Sequence, residues 1–186
     1  MSRWQPDARE RLERAAVELF VEQGFADTTV PQIAARAGLT TRTYFRHFAD
    51  KREALFGSED ELAPMIAALM SDAPASLTPI DAIAQALNTV AGRLQPQREF
   101  LVVRHRVVQA DDGLRERELR KRAALTAEIS RGFQSRGENE LTAQVAATLA
   151  TGIMGVSIER WLDGSGSESL PDLVRDALTA ARGLLG

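Results

Sequence analysis

The sequence predicts an all-α fold of about nine helices, and three observations carry that prediction. Ala, Leu, Arg and Glu are abundant along the whole chain, and these are strong helix formers. The alternating Val/Ile/Thr stretches that half-buried strands require are missing. Apolar residues instead recur at helical spacing between capping residues and glycine or proline stops. With 44% hydrophobic residues in 186, the chain can bury a sizeable core, which argues against wholesale disorder.

The elements follow in order. Helix 1 starts near Pro6, carries Leu12, Ala16, Leu19 and Phe20 at i, i+4, i+7 and i+8, and stops at Gly24. Thr29 begins the second as N-cap, with Pro31 in its first turn and Gln32 at the capping-box position. That helix ends at Gly38. A very short third helix spans about Thr41 to His47, capped by Thr40, and Asp50 opens a fourth with Glu53 three residues on. The segment "SDAPASLTP" (71–79) is the clearest break. Thr78-Pro79-Ile80-Asp81 then starts a helix that runs to about Leu94. Residues 97–110 form another, ended by Asp111-Asp112-Gly113. A long charged helix covers about Leu114 to Ser135, and the next runs from Glu138 to Asp163. The loop "GSGSES" (164–169) precedes a last helix beginning at Ser169.

Composition excludes several kinds of chemistry. Without cysteine, no disulfide, thiol nucleophile or cysteine zinc site is possible. Two histidines, scattered carboxylates and no glycine-rich phosphate loop leave no nucleophile–base pair to name. His105 with Asp111 and Asp112 lacks a fixed metal-ligand spacing. We therefore expect no enzyme, no cofactor and no metal. No uninterrupted apolar run reaches about 18 residues, and "MSRWQPDARERLERA" lacks a leader-like apolar region. The expectation is a soluble cytoplasmic protein with no membrane partner.

Net charge is −3, but its distribution is uneven. Residues 1–56 hold nine Lys/Arg against eight Asp/Glu, net +1, and the rest holds fourteen against eighteen, net −4. From Arg36 to Arg52 there are five basic residues and one acid, a local +4. The stretch "AGLTTRTYFRHF" (37–48) lies inside that patch and puts three of the chain's few aromatic rings beside two arginines. Helix, glycine turn, short helix is the spacing of a helix-turn-helix, with Gly38 supplying the positive φ. At about 100° per residue, Tyr44 and Phe48 form one apolar stripe that should face the core. Arg42 and Arg46 lie opposite, Thr43 and His47 flank them, and Thr41 and Phe45 occupy the other edge. That face is either a solvated basic flank or a surface for a major groove, where Arg reads guanine and Thr or His reaches phosphate. Lys51 at the start of the fourth helix would add a phosphate contact.

The segment "ERAAVELFVEQGFADTTVPQIAARAGLTTRTYFRHFADKREAL", Glu13 to Leu55, resembles the DNA-binding domain of the TetR family of bacterial transcriptional regulators. Its A-x-x-L-F-x-x-x-G-F helix, its T-T-V-x-x-I-A-x-x-A-G-L stretch and its T-x-x-T-Y-F-x-H-F-x-D-K-x-x-x-L stretch match in order. The resemblance implies a helix-turn-helix domain over residues 1–56 and a helical effector-binding and dimerisation domain over 57–186. It implies a homodimer on a palindromic double-stranded operator, released by a small-molecule effector, and a repressor by family habit. Thr29, Thr40, Thr41, Arg42, Thr43, Phe45, Arg46, His47 and Lys51 are the expected DNA-binding residues. The family often carries a tyrosine at position 45 for a phosphate, and this chain has Phe45.

The remainder is less diagnostic. The last two long helices are the family's usual dimer face, which assigns Val145, Leu149, Gly152, Ile153, Val156, Leu173, Ala177, Leu178 and Ala181 to the interface. Gly152 and Gly155 sit mid-helix and each costs about 1 kcal/mol relative to Ala, so close helix approach or pocket space is expected there. An effector pocket between the middle helices would draw on Met65, Leu69, Phe100, Arg104, Ile129 and Trp161. Arg104 in "FLVVRHRVVQ" is either a buried cation for an anionic ligand or a snorkelling surface residue.

Overall fold

The computed structural model describes residues 7–56, 59–164 and 167–185, and among these it contains ten α-helices, one 3-10 turn and no strand. In order they are α1 Ala8–Gln23, α2 Val30–Arg36, α3 Thr41–His47, α4 Glu53–Phe56, α5 Glu59–Ser71, α6 Pro79–Leu94, α7 Arg98–Gln109, α8 Asp112–Ser135, α9 Glu140–Asp163 and α10 Leu170–Leu185. The helix expected from Asp50 onward therefore comprises α4 and α5, with residues 57 and 58 between them outside the described set. The helix expected from Glu138 starts later because Asn139 is its N-cap, its side-chain oxygen accepting from Thr142 N–H at 2.9 Å.

The chain forms two compact units. One groups Met1–Asp60 with Val103–Glu118, and the other groups Glu61–Val102 with Leu119–Gly186. The first is built on α1, which packs against α2, α3 and α4. Its buried face is Leu12, Ala15, Ala16, Leu19 and Phe20, and Ile33 and Ala34 of α2 and the rings of Tyr44 and Phe48 are buried in the same unit. Local chemistry fixes the corners. The Thr29 hydroxyl accepts from Gln32 N–H while the Gln32 amide oxygen accepts from Thr29 N–H at 2.8 Å, a complete capping box. Gly38 has φ 66°, and Leu39 N–H returns to Ala34 carbonyl at 2.8 Å, closing α2 in the left-handed turn that a side chain would strain. Thr40 caps α3 through Thr43 N–H at 3.1 Å.

In the second unit α6, α9 and α10 pack on one another. Ala143, Ala146, Ala147 and Ala150 form a buried small-residue stripe on α9, with Ile83, Leu87, Val90, Leu173, Val174 and Leu178 in the same core. The glycine that close approach requires is Gly132 of α8, where a Cβ would lie 2.6 Å from the Ala67 carbonyl oxygen of α5. Gly152 meets no atom within 4 Å and Gly155 only the tip of Arg122 at 3.8 Å. Intramolecular packing therefore does not explain either of the two glycines singled out in the sequence.

The residues assigned to the dimer face divide. Ile153, Leu173, Leu178 and Ala181 are buried inside their own unit, and Leu149 and Ala177 pack partly against that core. Val145, Gly152 and Val156 face outward on α9, joined by exposed Leu141. These four lie within about 60° of one another at 100° per residue, one stripe along the helix. On α10 the large apolar side chain exposed among the described residues is Leu184. The helix α9 is long and apolar enough to cross a bilayer by length and composition alone, and a third of its most apolar window is buried in the fold.

Candidate DNA-binding surface

The short helix α3 is anchored from behind. Tyr44 is fully buried and its hydroxyl donates to the Asp50 carbonyl at 2.9 Å. Burial, with the Asp50 carboxylate adding to it, pushes the phenol above its ordinary range, so the ring stays neutral. Phe48 packs on Tyr44 with ring centroids 5.3 Å apart, and the Arg9 guanidinium sits over Phe48. One hydrogen bond and two buried rings therefore fix the rotation of α3 about its axis.

That rotation turns Arg42, Phe45 and Arg46 outward. Arg42, Thr43, Phe45 and Arg46 line one open surface depression. Arg42 has no hydrogen-bond or ion-pair partner among the described residues, and it occupies the second position of α3. A cation there opposes the helix dipole, so helix stability does not account for it. Among the described residues, the hydrogen-bonding partner of Arg46 is the neighbouring His47 ring at 3.5 Å. Thr41 and Thr43 are half-buried at the edges of this face. The Thr40 hydroxyl is held by Thr43, and Thr29 is held by Gln32.

Two cations of the local +4 patch are engaged inside the protein. Arg36 forms a two-pronged pair with Glu22, with the shorter contact at 2.6 Å, and reaches Glu18 at 3.5 Å. This holds the Glu22 carboxyl below its usual range. The Lys51 ammonium donates to the carbonyls of Phe25, Ala26 and Thr28 at 2.6, 3.1 and 2.9 Å and lies 4.3 Å from the Phe25 ring centre. All three protons are used, which leaves none for a phosphate. The expectation for Lys51 is revised accordingly: it ties the α1–α2 turn to the loop before α4. Lys51→Ala should lower the thermal midpoint, with a loss of about 1–3 kcal/mol for charge-assisted bonds. It should leave the salt dependence of DNA binding unchanged, and a flatter slope at an unchanged midpoint would restore the phosphate role.

Sequence reasoning missed the way Val103–Glu118 joins this unit. Arg104 is buried, its Nε donating to the Leu55 carbonyl at 2.6 Å and Nη1 to Glu118 at 3.3 Å. Its guanidinium lies 4.8 Å from the centre of the fully buried Phe56 ring, with Arg117 over the same ring at 5.8 Å. Arg117 also pairs with Glu53. The two readings left open for Arg104 are thus replaced by a third: buried, and satisfied by the protein itself. The other expected pocket residues lie in the second unit. Ile129 and Trp161 are in its core, Met65 and Leu69 pack on that core, and Phe100 is half-buried. The Trp161 indole N–H is buried with no hydrogen-bond partner among the described residues.

Residues 13–57 match the family described as bacterial regulatory proteins, tetR family. The helix-turn-helix segment of the chain is of the TetR type. It is 38% identical over 87 residues to the HTH-type transcriptional regulator TcmR of Streptomyces glaucescens, a match covering 47% of this chain and 38% of that protein. The chain thus aligns with well under half the length of that relative. A TetR-family transcriptional regulator from Syntrophomonas wolfei superposes with a TM-score of 0.69 at 17% identity, over 97% of this chain and 96% of its own. The TetR-family repressor FadR of Thermus thermophilus, in complex with lauroyl-CoA, gives a TM-score of 0.55 at 23% identity, over 92% of this chain and 91% of its own. At such identities the likeness to solved structures carries the fold.

Proposed function

We propose that this chain is a ligand-responsive transcriptional repressor of the TetR family. On this reading a homodimer binds a palindromic operator in the cytoplasm, and a small-molecule effector releases it. The observation that carries the reading is Arg42, an exposed and unpaired cation beside Arg46 on a helix whose orientation two buried rings enforce. An unpaired guanidinium on a short, rigidly backed helix suits bidentate reading of guanine O6 and N7.

The dimer is supported by the outward stripe Leu141, Val145, Gly152 and Val156. A second copy packed in isologous fashion would cover that apolar surface and exploit the open space beside Gly152. The effector is supported by the orphaned Trp161 N–H among the apolar residues of the second unit. A buried donor without an acceptor is costly, and a ligand carbonyl or carboxylate would satisfy it. Acyl-CoAs are the first class to screen, since the Thermus thermophilus FadR structure holds lauroyl-CoA. An effector that prefers the conformation with the wrong recognition-helix separation would weaken operator affinity by that preference.

Duplexes enriched from a random library test the reading. The expected product is an inverted repeat whose half-site centres lie about 34 Å apart, or somewhat more. In sedimentation the protein should run as a dimer that Val145→Glu with Val156→Glu splits, and the split form should lose the repeat. A monomer that enriches a single asymmetric motif would sink the proposal.

A further inference from the structure

Phe45 is 55% exposed on the recognition helix, and nothing in the fold of its own unit requires an aromatic ring in solvent there. A tyrosine at this position would offer a hydroxyl to a phosphate, and phenylalanine has none. The ring is nonetheless held in place: it meets the Tyr44 ring edge-on at 84°, centroids 5.7 Å apart, and the Asp50 carbonyl fixes Tyr44 in turn. Phe45 lies about 60° from Arg42 around the helix. It shares the open depression with Arg42, Thr43 and Arg46.

An apolar ring at the edge of a face that carries two guanidinium groups needs an apolar feature on an otherwise anionic, hydrogen-bonding partner. In the major groove only one base supplies it, the C5-methyl group of thymine. We propose that Phe45 is a specificity residue that packs on a thymine methyl beside the base or phosphate held by Arg42. This rests on the DNA-binding reading above. It adds a preference for a thymine at one position of each half-site, read by burial rather than by hydrogen bonding.

Uracil in place of thymine deletes that methyl and leaves base pairing intact, so the test is a substitution scan. Duplexes enriched by the wild-type chain are resynthesised with uracil at one thymine position and its symmetry mate at a time. Loss of one buried methyl is about 0.8 kcal/mol, which is about fourfold per half-site and about fifteenfold for both. One position should show that penalty with the wild type. Phe45→Ala should bind the thymine duplex correspondingly less tightly and treat thymine and uracil alike at that position, while Phe45→Leu keeps part of the preference. Because Phe45 is half exposed and its ring meets only the edge of Tyr44, the thermal midpoints of both variants should fall by no more than a few degrees. Affinity within 1.5-fold of thymine at every uracil position overturns the proposal, as does a penalty that persists in full in Phe45→Ala. In either case DNA binding itself stands. A chain that enriches no duplex overturns the DNA-binding reading and this one with it.

Discussion

Arg42→Ala loses about five- to 150-fold in affinity per half-site of the enriched duplex, and tolerates substitution at the base pair that the arginine reads. That range follows from about 1–3 kcal/mol for a bidentate arginine–guanine contact. The fold should be unaffected, because Arg42 is exposed and has no hydrogen-bond or ion-pair partner among the described residues. A mobility-shift series against all four base pairs at each position measures both parts. A loss spread evenly over all sequences would reassign Arg42 to a phosphate. Unchanged affinity would remove α3 from the groove altogether.

The second large effect concerns stability. Arg104→Met should destabilise the protein by about 3–5 kcal/mol, the range for breaking a buried charged pair by removing one partner. The Leu55 carbonyl loses its 2.6 Å donor, Glu118 loses its counter-charge, and Phe56 loses the cation stacked on it. At about 2–4 °C per kcal/mol for a chain of this size, the thermal midpoint should fall by roughly 10 °C. Amide exchange should rise first in α4 and in residues 103–118. Glu118→Gln alone should cost less, since the Leu55 bond survives, and the two substitutions together should be less than additive. A midpoint within 2 °C of wild type for Arg104→Met would mean that the cluster contributes no net stability, as happens when desolvation offsets attraction.

Much of the fold was legible because it is locally encoded. Thr29 with Gln32, Thr40 with Thr43, and Gly38 act within four residues of themselves, and the structure places all three devices where the spacing predicts. The buried stripe of Tyr44 and Phe48 was legible for the same reason, since one helical turn suffices to define it. What remained hidden depends on distant partners. Lys51 finds its acceptors 23 to 26 residues away, at carbonyls that no side-chain pattern announces. Arg104 finds Leu55 across 49 residues, so its neighbours in sequence could not distinguish a ligand cation from a surface one. Helix α9 is apolar on two faces, and periodicity alone cannot say which one its own core takes. Ile153 of α9, assigned to the outer face, is therefore inside, as are Leu173, Leu178 and Ala181 of α10. Glycine carries no side chain to mark a face, which is why Gly132 went unnoticed beside Gly152 and Gly155.

The most direct test of the central claim, that α3 presents its cations to duplex DNA, is fluorescence anisotropy with a random-sequence duplex across a salt series. The wild type should bind with a steeply negative slope of log affinity against log salt, about −0.9 for each phosphate neutralised. The Arg42→Ala, Arg46→Ala double variant should give a visibly shallower one. Absence of salt-dependent binding, or the same slope in the double variant, would contradict the account.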